Sequence, residues 1–252
     1  MNQPKISVII PVFNGEKFIA EAIQSVREQN YKPLEIIVID DGSTDNTMDV
    51  VKSLGGEVVI FSQPNKGVAA ARNAGLERAT GDLITFIDAD DVWLQNKLHQ
   101  QTSILNNNPE IEIVIGFLLI LEFNNREEVT NEQITTGKSA MVFQLGSALI
   151  RKSVFDKIGR FDTEFGMAED SDWFFRVMEA DIKVQIMEDI VQLYRQHNNN
   201  ITKDKTMTNS FLLKAFKKSL DRRRKAGISG DAPLPVFGNI EQVKQFWLKK
   251  QQ

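Results

Sequence analysis

The sequence contains a hydrophobic run that ends in three acids, Asp82-Leu83-Ile84-Thr85-Phe86-Ile87-Asp88-Ala89-Asp90-Asp91. Its apolar part predicts a buried strand that the chain enters from a turn at Gly81. Carboxylates at the end of a buried strand cost free energy or shift their pKa unless something compensates their charge. A divalent cation provides that compensation, because Mg²⁺ and Mn²⁺ bind carboxylate oxygens and bridge them to phosphates. The stretch therefore predicts a strand edge that binds a metal, with a solvated turn as the alternative.

Predicted strands and helices alternate around this stretch. Apolar runs and helical spacing predict, in chain order, a strand over residues 6–12, a helix over 15–29, a strand over 34–39, a helix over 47–54, a strand over 57–62, a helix over 66–79 and a strand over 82–87. The last of these strands is followed by a helix predicted over 93–107, so each of the four strands precedes a helix. This alternation is typical of a parallel α/β sheet with right-handed connections.

The second half of the chain has a less regular pattern. It predicts strands over 111–123, 141–150, 183–187 and 191–195, helices over 153–158 and 168–180, a mobile polar excursion over 124–138, and two helical segments within 206–252. We therefore expect one α/β domain over residues 1–204, with a mostly parallel sheet flanked by helices. A helical extension over 205–252 would follow it.

The composition excludes several classes of protein. Of the 252 residues, 42% are hydrophobic and 25% are charged, as in ordinary globular domains. The net charge of −4 argues against a nucleic-acid-binding role. Without cysteine the chain cannot form a disulfide, a thiolate zinc site or a cysteine nucleophile. Because we find neither a secretory signal nor an apolar stretch long enough to span a bilayer, we expect a cytoplasmic protein.

Polar side chains follow the predicted strands at the points where these strands end. They occur in Pro11-Val12-Phe13-Asn14, Asp40-Asp41, Asn65-Lys66-Gly67 and Asp88-Ala89-Asp90-Asp91. The carboxyl ends of parallel strands lie at one edge of a sheet, where open α/β sheets bind ligands. Each motif alone could be only a turn, a helix cap or a loop. Together with Arg72 they provide a hydrogen-bond acceptor, two cations and metal ligands, which are the groups that a base, a ribose and a diphosphate require.

Two common nucleotide-binding motifs are missing from the sequence. No Gly-x-Gly-x-x-Gly follows the first strand, which argues against a dinucleotide fingerprint. No Gly-x-x-x-x-Gly-Lys-Ser/Thr occurs, which argues against a P-loop phosphotransferase. The predicted nucleotide site is therefore of neither kind.

A second cluster of acids begins a predicted helix, Ala168-Glu169-Asp170-Ser171-Asp172-Trp173-Phe174-Phe175-Arg176. Acids at a helix start favour the helix dipole and could merely cap the helix. That explanation accounts for one or two acids and leaves Trp173 unexplained, whose flat apolar face suits stacking on a sugar ring. A carboxylate here could take a proton from an attacking hydroxyl. Further along, His197 is either an ordinary surface imidazole or a contact to a metal or a phosphate.

In their order and spacing, these motifs resemble those of the family 2 inverting glycosyltransferases. The likeness rests on Ser7-Val8-Ile9-Ile10-Pro11-Val12-Phe13-Asn14, Asp40-Asp41-Gly42-Ser43-Thr44-Asp45, Asn65-Lys66-Gly67 with Ala71-Arg72-Asn73 and Gly75, and Asp88-Ala89-Asp90-Asp91, and it extends to Glu169-Asp170 and Arg195-x-His197. The resemblance implies the GT-A fold, with a nucleotide-binding sheet and a nucleotide-diphosphate-sugar donor that is usually UDP-linked. It also implies Mn²⁺ or Mg²⁺ as the cofactor.

The resemblance further implies a role for each matching residue. Asp40 would contact the base of the donor and Asp88 its ribose. Asp90 would bind the metal, with His197 near the metal or the diphosphate, and Asp170 would be the general base. The remaining residues of the implied donor site are Pro11, Val12, Phe13, Asn14, Asp41, Lys66, Arg72 and Ala89, and those of the implied acceptor site are Glu169 and Trp173.

The function that we expect is the transfer of a sugar, with inversion at the anomeric carbon, from the nucleotide donor to an acceptor hydroxyl. The acceptor would be a carbohydrate or a lipid-linked molecule in polysaccharide, cell-wall or glycoconjugate synthesis. One alternative is a nucleotidyltransferase that makes nucleotide sugars, although its Gly-rich loop is absent after Val12. The other alternative is a non-catalytic module that binds nucleotide sugars.

Basic residues crowd the segment 203–225 of an otherwise acidic chain. Apolar residues recur within it at helical spacing, which predicts a helix with one apolar and one basic face. The basic face could be merely solvated while the apolar face packs on the domain. Alternatively, it could bind an anionic membrane surface that carries the acceptor, which would place the protein peripherally at the inner face of the membrane.

Overall fold

The protein is described by a computed structural model that covers residues 3–122, 138–140, 144–197 and 205–227. The first elements are β1 (Ile6–Val12), α1 (Ile19–Arg27), β2 (Leu34–Asp40), α2 (Thr47–Ser53), β3 (Val58–Ser62), α3 (Val68–Arg78) and β4 (Leu83–Phe86). Neighbouring strands in the order β3-β2-β1-β4 are parallel. The alternation of strands and helices predicted for this half is confirmed.

The second half of the chain extends the same sheet. Its elements are β5 (Val92–Trp93), α4 (Lys97–Asn107), β6 (Ile113–Glu122), β7 (Lys138–Ala140), a 3₁₀ turn (Leu145–Ser147), β8 (Ala148–Arg151), α5 (Ser153–Ile158), α6 (Glu169–Glu179), β9 (Val184–Gln196) and α7 (Lys205–Lys225). The nine-stranded sheet has the order β3-β2-β1-β4-β8-β6-β9-β5, with β7 beside β6. Strand β8 is antiparallel to both β4 and β6 and so joins the two halves. The expected α/β class is confirmed.

Strand β1 lies inside the parallel half of the sheet, and all seven of its residues are buried. Its side chains alternate between two apolar layers, because successive residues of a strand point to opposite faces. Val8 shares a layer with Ile23 of α1, whereas Ile9 shares the other layer with Ala71 of α3. Since both faces are covered, the strand is a near-continuous aliphatic run rather than an alternating one.

Two predicted element boundaries in the middle of the chain are wrong. The helix predicted over 93–107 begins at Lys97, because Val92–Trp93 pairs with β9 as a short strand. The strand predicted over 141–150 is a strand only from Ala148 on, after a 3₁₀ turn, and residues 141–143 lie outside the described residues. A strand of two residues leaves no periodic signal in the sequence.

The strands predicted over 183–187 and 191–195 are one continuous strand, Val184–Gln196. It runs parallel to β6, and the register between the two strands is irregular around Phe117. The register shifts between the pair of Ile115 with Ile186 and the pair of Phe117 with Ile190, so an irregularity at Glu188 and Asp189 and not a turn separates the two apolar runs.

Two further predictions concern residues outside the described parts of the chain. The excursion predicted over 124–138 belongs to them except for Lys138, and so does the second helical segment of the tail, since the description ends at Gly227. The division into a domain over 1–204 and an extension over 205–252 therefore stays a prediction.

Helix α7 forms as predicted, but several of its cations face the rest of the protein. Lys218 and Arg222 bind carboxylates of earlier elements, and Arg223 is buried. Lys217 and Arg224 are exposed. The basic face that we considered for a membrane surface is thus partly used inside the fold. Among the helices that the structure describes, none combines the length and the apolar character that crossing a bilayer requires.

Helix α3 lies directly on strand β1 at Gly75. A Cβ atom at this position would overlap with the side chain of Ile9, which is fully buried in β1. The absence of a side chain therefore allows the helix to approach the sheet closely, and this contact positions the loop that precedes α3.

We predict that Gly75→Ala lowers the free energy of unfolding by about 1–3 kcal/mol, because overpacking of a filled core costs about that much. At an exposed helical position the same change would stabilise the protein by about 1 kcal/mol. The overlap with Ile9 therefore makes the net effect of Gly75→Ala destabilising. Urea or thermal unfolding measures the effect. The control is Glu77→Ala on the exposed side of α3, which removes only an exposed ion pair with Arg160 and should change stability by less than about 1 kcal/mol. A Gly75→Ala variant as stable as the wild type would contradict the close contact.

Candidate active site

Hydrogen bonds join the loops that follow strands β1 and β2. Asn14 donates its backbone N–H to the Oγ atom of Ser43 at 2.9 Å, and its own Oδ1 accepts the N–H of Thr44 at 2.8 Å. Asn14 has a φ of 52°, a left-handed conformation that asparagine tolerates better than most residues. The two loops are therefore held side by side at the carboxyl edge of the sheet.

The adjacent acids Asp40 and Asp41 are both buried but have different partners. Oδ1 of Asp40 accepts the N–H of Ser43 at 2.9 Å. The carboxylate of Asp41 accepts the backbone N–H groups of Lys66 and Gly67 at 2.9 and 2.8 Å. Asp41, which we expected at the donor, thus fixes the loop that leads into α3.

The other residues predicted for the donor site differ in exposure. Pro11 and Val12 are buried within β1, and Ala89 is partly exposed. Phe13 is 50% exposed, which is unusual for a large apolar side chain, and Lys66 is also exposed. The ring of Phe13 and the ammonium group of Lys66 are accordingly accessible to a ligand at this edge.

Arg72 links two acids from distant parts of the chain. Its Nη2 donates to Oδ1 of Asp88 at 2.7 Å, and its Nη1 donates to Oε1 of Glu169, a residue 97 positions further along the chain. Arg72 is only 5% exposed. We expected its charge to serve a diphosphate, but in the structure two carboxylates already bind it. This bridge connects the acidic stretch after β4 with the start of α6.

Burial and nearby charges perturb the pKa values of the acids at the start of α6. Burial raises the pKa of Glu169 to about 7, although the positive charge of Arg72 opposes the shift. Burial also raises the pKa of Asp170, again against the effect of Arg72. Raised carboxyl pKa values are typical of groups that accept or donate protons near neutral pH.

Asp170 lies in the first turn of α6, just after a turn in the backbone at Ala168. Ala168 has a φ of 63°, which redirects the chain into the helix. Asp170 is partly exposed, and its Oδ1 accepts the N–H of Ser171 at 2.6 Å. Its neighbour Glu169 is instead buried against Arg72. Of these two neighbouring acids, Asp170 is therefore the one that a substrate can reach.

The two residues predicted to bind metal, Asp90 and His197, are brought together by the fold. The Nε2 atom of His197 lies 3.1 Å from Oδ2 of Asp90. The imidazole ring stacks on Phe18, with 4.7 Å between the ring centroids and 19° between the planes. This stacking fixes the orientation of the imidazole ring, in which Nε2 is directed at Asp90.

Asp91, the last acid of the stretch, is fully buried. It accepts hydrogen bonds from the backbone N–H of Arg195 at 3.1 Å and from the side chain of Gln192 at 2.5 Å. Burial raises its pKa well above the ordinary range, and the charge of Asp90 adds to the shift. Asp91 thus attaches the end of β9 to the acidic stretch and thereby keeps His197 beside Asp90.

Asp88, Asp90 and His197 are the candidate ligands for a divalent cation at this edge of the sheet. In the described residues, no three acidic or histidine side chains are grouped closely enough to bind a metal by themselves. Asp90 and His197 provide two adjacent donors, whereas Asp88 uses one oxygen for Arg72. Mg²⁺ commonly takes one or two protein ligands while substrate phosphates complete its coordination, and Mn²⁺ prefers the same oxygen ligands. The residues present therefore fit a cation that binds together with a diphosphate.

The prediction that Trp173 stacks on a sugar is wrong. Its side chain is 0% exposed, and its indole N–H donates to the carbonyl of Gly159 at 3.1 Å. The ring stacks on Phe155, with 5.0 Å between the centroids. Trp173 lies on the inner face of α6, where burying its large apolar ring is more favourable than leaving the ring exposed to solvent. Glu169, the other residue predicted for the acceptor, is likewise buried.

Some supporting contacts of the site had no signal in the sequence. Arg195 forms an ion pair with Glu21 of α1 at 2.7 Å, and Phe18 lies against His197. Both contacts join the start of α1 to the end of β9, yet Phe18 and Glu21 look like ordinary helix residues. Gln192 did provide a signal, since it is a polar residue in an otherwise apolar part of β9.

Several curated proteins are similar to this chain. An uncharacterized glycosyltransferase of Rickettsia typhi is 31% identical over 189 residues, which cover 70% of this chain and 59% of that protein. One of Haemophilus influenzae is 44% identical over 112 residues, which cover 43% of this chain and 45% of that protein. The uncharacterized glycosyltransferase EpsJ of Bacillus subtilis is 26% identical over 79% of this chain and 63% of that protein. The chain thus spans less than two thirds of the length of these relatives.

Solved structures of glycosyltransferases share the fold. A mannosyltransferase from Pyrobaculum calidifontis in complex with GDP-Man and Mn²⁺ aligns with a TM-score of 0.68 and 19% identity, over 100% of this chain and 70% of that chain. Staphylococcus aureus TarS in complex with UDP-GlcNAc aligns with a TM-score of 0.63 and 18% identity, over 98% of this chain and 79% of that chain. The likeness confirms the GT-A fold.

A family model described as glycosyl transferase family 2 matches residues 7–160, which is more than half of the chain. The matched part contains Asp40, Arg72, Asp88 and Asp90, and it ends before α6. The family resemblance that the motifs indicated is therefore confirmed, and this chain belongs to glycosyl transferase family 2.

Proposed function

We propose that this chain is an inverting glycosyltransferase that moves a sugar from a nucleotide-diphosphate donor to an acceptor hydroxyl, assisted by a divalent cation. The observation that carries the proposal is the bridge from Asp88 through Arg72 to Glu169. It connects the strand edge expected to bind the donor with the helix that contains Asp170. Direct transfer requires that donor and base be held in a constant relative position, which a buried bridge provides.

The donor that we propose is a UDP-sugar. Asp40 would accept a hydrogen bond from the base, and Asp88 would bind the ribose. The side chain of Asp88 is 32% exposed, so it can bind hydroxyl groups while it stays paired with Arg72. The exposed Lys66 would contact the diphosphate. One structural neighbour is in complex with UDP-GlcNAc, which supports a UDP donor, and another is in complex with GDP-Man.

Asp170 would act as the general base. Its carboxylate takes the proton of the acceptor hydroxyl while the oxygen forms a bond to the anomeric carbon, and the bond from that carbon to the diphosphate oxygen breaks. Attack from the face opposite to the departing diphosphate inverts the configuration. One carboxylate is enough for this step, whereas glycoside hydrolysis uses two. The raised pKa of Asp170 makes its carboxylate a stronger base than an ordinary aspartate.

Asp90 and His197 would hold the divalent cation together with the diphosphate of the donor. When bound, Mn²⁺ or Mg²⁺ offsets the negative charge of the departing diphosphate. Phe18 and Asp91 support these two ligands, because the first stacks on the imidazole and the second binds the end of β9. Supporting contacts of this kind keep ligands in one orientation.

The acceptor that we propose is a carbohydrate or a lipid-linked molecule in polysaccharide or glycoconjugate synthesis. Because Trp173 and Glu169 are buried, other residues near Asp170 must bind it. Family membership favours transfer over nucleotidyl transfer and over mere binding. Assays with a labelled donor separate the three activities. They would show sugar transfer to acceptor or water, pyrophosphate exchange, or binding without turnover.

We predict that Asp170→Asn lowers kcat by about 10²–10⁴-fold, because asparagine keeps the shape of the side chain but cannot accept the proton. The affinity for UDP should stay within a few-fold of the wild type. Turnover of labelled UDP-sugars and calorimetry with UDP measure the two quantities. The control is Asp156→Asn, which changes an exposed aspartate of α5. Normal transfer by Asp170→Asn would place the base elsewhere.

We predict that UDP binding depends on the divalent cation. Asp90→Ala and the addition of chelator should each weaken UDP binding at least about tenfold, since even the loss of a supporting contact typically costs a metal site about 10–100-fold. Calorimetry with Mn²⁺ measures this, with GDP titrated in parallel to test the choice of base. Asp49→Ala, which removes an exposed acid of α2, is the control. Equal affinity for UDP with and without Mn²⁺ would contradict the metal assignment.

We predict that kcat/KM begins to fall, as the pH is lowered, at a higher pH than it would with an ordinary aspartate as the base. The general base must be ionised, and the raised pKa of Asp170 means that it becomes protonated earlier as the pH decreases. An ordinary aspartate with a pKa of about 3.9 would keep the enzyme active down to about pH 4. The pH profile of kcat/KM measures the acidic limb, because it reports the groups of the free enzyme. UDP affinity at each pH serves as the control. A flat profile down to about pH 4 would exclude a base with a raised pKa.

A further inference from the structure

Helix α7 contacts the chain on both sides of the turn at Ala168. On the side before the turn, in the loop 159–167, Nζ of Lys218 donates to Oδ2 of Asp162 at 2.6 Å and to Oε2 of Glu164 at 2.7 Å. The side chains of Lys218, Asp162 and Glu164 are all partly or largely exposed. These ion pairs alone would contribute little, because exposed pairs are screened by water.

On the side after the turn, α7 contacts α6 at partly or nearly fully buried positions. Nη1 of Arg222 donates to Oδ1 of Asp172 at 2.9 Å, and its Nε donates to Oε2 of Glu179 at 2.6 Å. The side chain of Asp172 is only 2% exposed, and Arg176 binds its other oxygen at 3.1 Å. A buried carboxylate without such partners would be strongly unfavourable. Arg222 is therefore tied closely to the first turns of α6.

Apolar contacts join the same surfaces. Phe216 of α7 packs edge-on against Phe175 of α6, with 6.4 Å between the ring centroids. At Gly166 in the loop 159–167, an added Cβ atom would lie 3.2 Å from the ring of Phe211. The missing side chain of Gly166 therefore favours a close approach of the loop to α7. Helix α7 thus covers both the loop and α6.

The turn between these two contact regions needs support. Ala168 has a left-handed φ of 63°, which is unfavourable for a residue with a Cβ atom and persists only when surrounding contacts hold it. Asp170 follows two residues later and is partly exposed. Any change in this turn would move its carboxylate relative to Asp88 and Asp90.

We propose that α7 holds the loop 159–167 and the first turn of α6 in place, and that Arg222 and Lys218 are positioning residues for Asp170. The inference rests on the proposed function, in which Asp170 is the general base. Neither cation needs to touch a substrate, because both act through α6 and the loop before it. Helices α6 and α7 both lie beyond residues 7–160, the part of the chain that matches the family model.

The test compares Arg222→Gln and Lys218→Met with two matched controls, Arg224→Gln and Lys217→Met, whose side chains lie on the exposed part of the same helix. Hydrogen exchange reports the order of residues 159–173 in the full-length chain. Steady-state kinetics give kcat and the KM for the donor. For Arg222→Gln we expect faster exchange in 159–173 and a kcat lowered by up to about 100-fold, since a displacement of about 1 Å at the reacting centre costs that much. Lys218→Met should change both quantities in the same direction but less, because its ion pairs are exposed. The KM for the donor should stay unchanged.

A conservative variant separates positioning from general stability. Arg222→Lys keeps the charge but loses the planar, forked geometry that binds Asp172 and Glu179 together. It should restore part of kcat relative to Arg222→Gln. If Arg222→Gln does not fold, as thermal unfolding would show, Arg222→Lys and Lys218→Met provide the same comparison.

The outcomes distinguish this inference from the proposed function. Exchange and kcat equal to those of the controls would overturn the inference, and faster exchange with an unchanged kcat would overturn the positioning role. If Asp170→Asn transfers sugar normally, the proposed base is wrong. Faster exchange in 159–173 of Arg222→Gln would then still support a role of α7 in holding this segment.

Discussion

The guanidinium group of Arg72 lies between the carboxylates of Asp88 and Glu169. Arg72 and Glu169 are buried where water compensates little of their charge, whereas Asp88 is partly exposed. Removing one member of such a buried pair costs much more than the whole pair contributes, because the remaining charge is left without a partner. The three side chains therefore depend on one another. Since Asp88 follows β4 and Glu169 begins α6, this bridge sets the distance between the acidic strand edge and the helix of Asp170. The parallel sheet supplies the first end of the bridge through Asp88, and α6 supplies the second through Glu169.

Helix α6 is held by different forces on its different sides. Burial of Trp173 and its aromatic neighbours determines which face of the helix points to the core, because removing this large apolar area from water is favourable. This effect has no direction and does not by itself fix the position of the helix on the core. Ion pairs fix the position of α6 on the core. Arg72 binds Glu169 at the start of the helix, and Arg222 binds Asp172 one turn later. The result is a first turn in which Glu169 is buried while Asp170 stays accessible. Two neighbouring acids thus obtain different environments, which is how proteins give similar groups different tasks.

The acids that follow β4 show the same division of tasks within four residues. Asp88 is bound by Arg72, Asp90 lies beside His197, and Asp91 is buried among hydrogen-bond donors of β9. The energetic demands differ, since Asp91 needs hydrogen bonds to be tolerated in the interior, whereas Asp90 stays partly exposed to solvent. One of these acids therefore maintains the structure that places the others.

The sequence by itself determined the α/β class, the alternation of strands and helices in the first half of the chain, and the strand edge at which the acids of the site occur. These features are local, because the period of apolar residues and the chemistry of a strand end can be read from neighbouring positions. Only the tertiary structure decided that Trp173 is buried, that Arg72 binds two carboxylates, and that Lys218 and Arg222 face the protein instead of the solvent. Those outcomes depend on contacts between segments that are far apart in the chain. Arg72 and Glu169, for example, are separated by 97 positions. No pattern within one segment contains the identity of its partner, so these contacts could be found only in the folded chain.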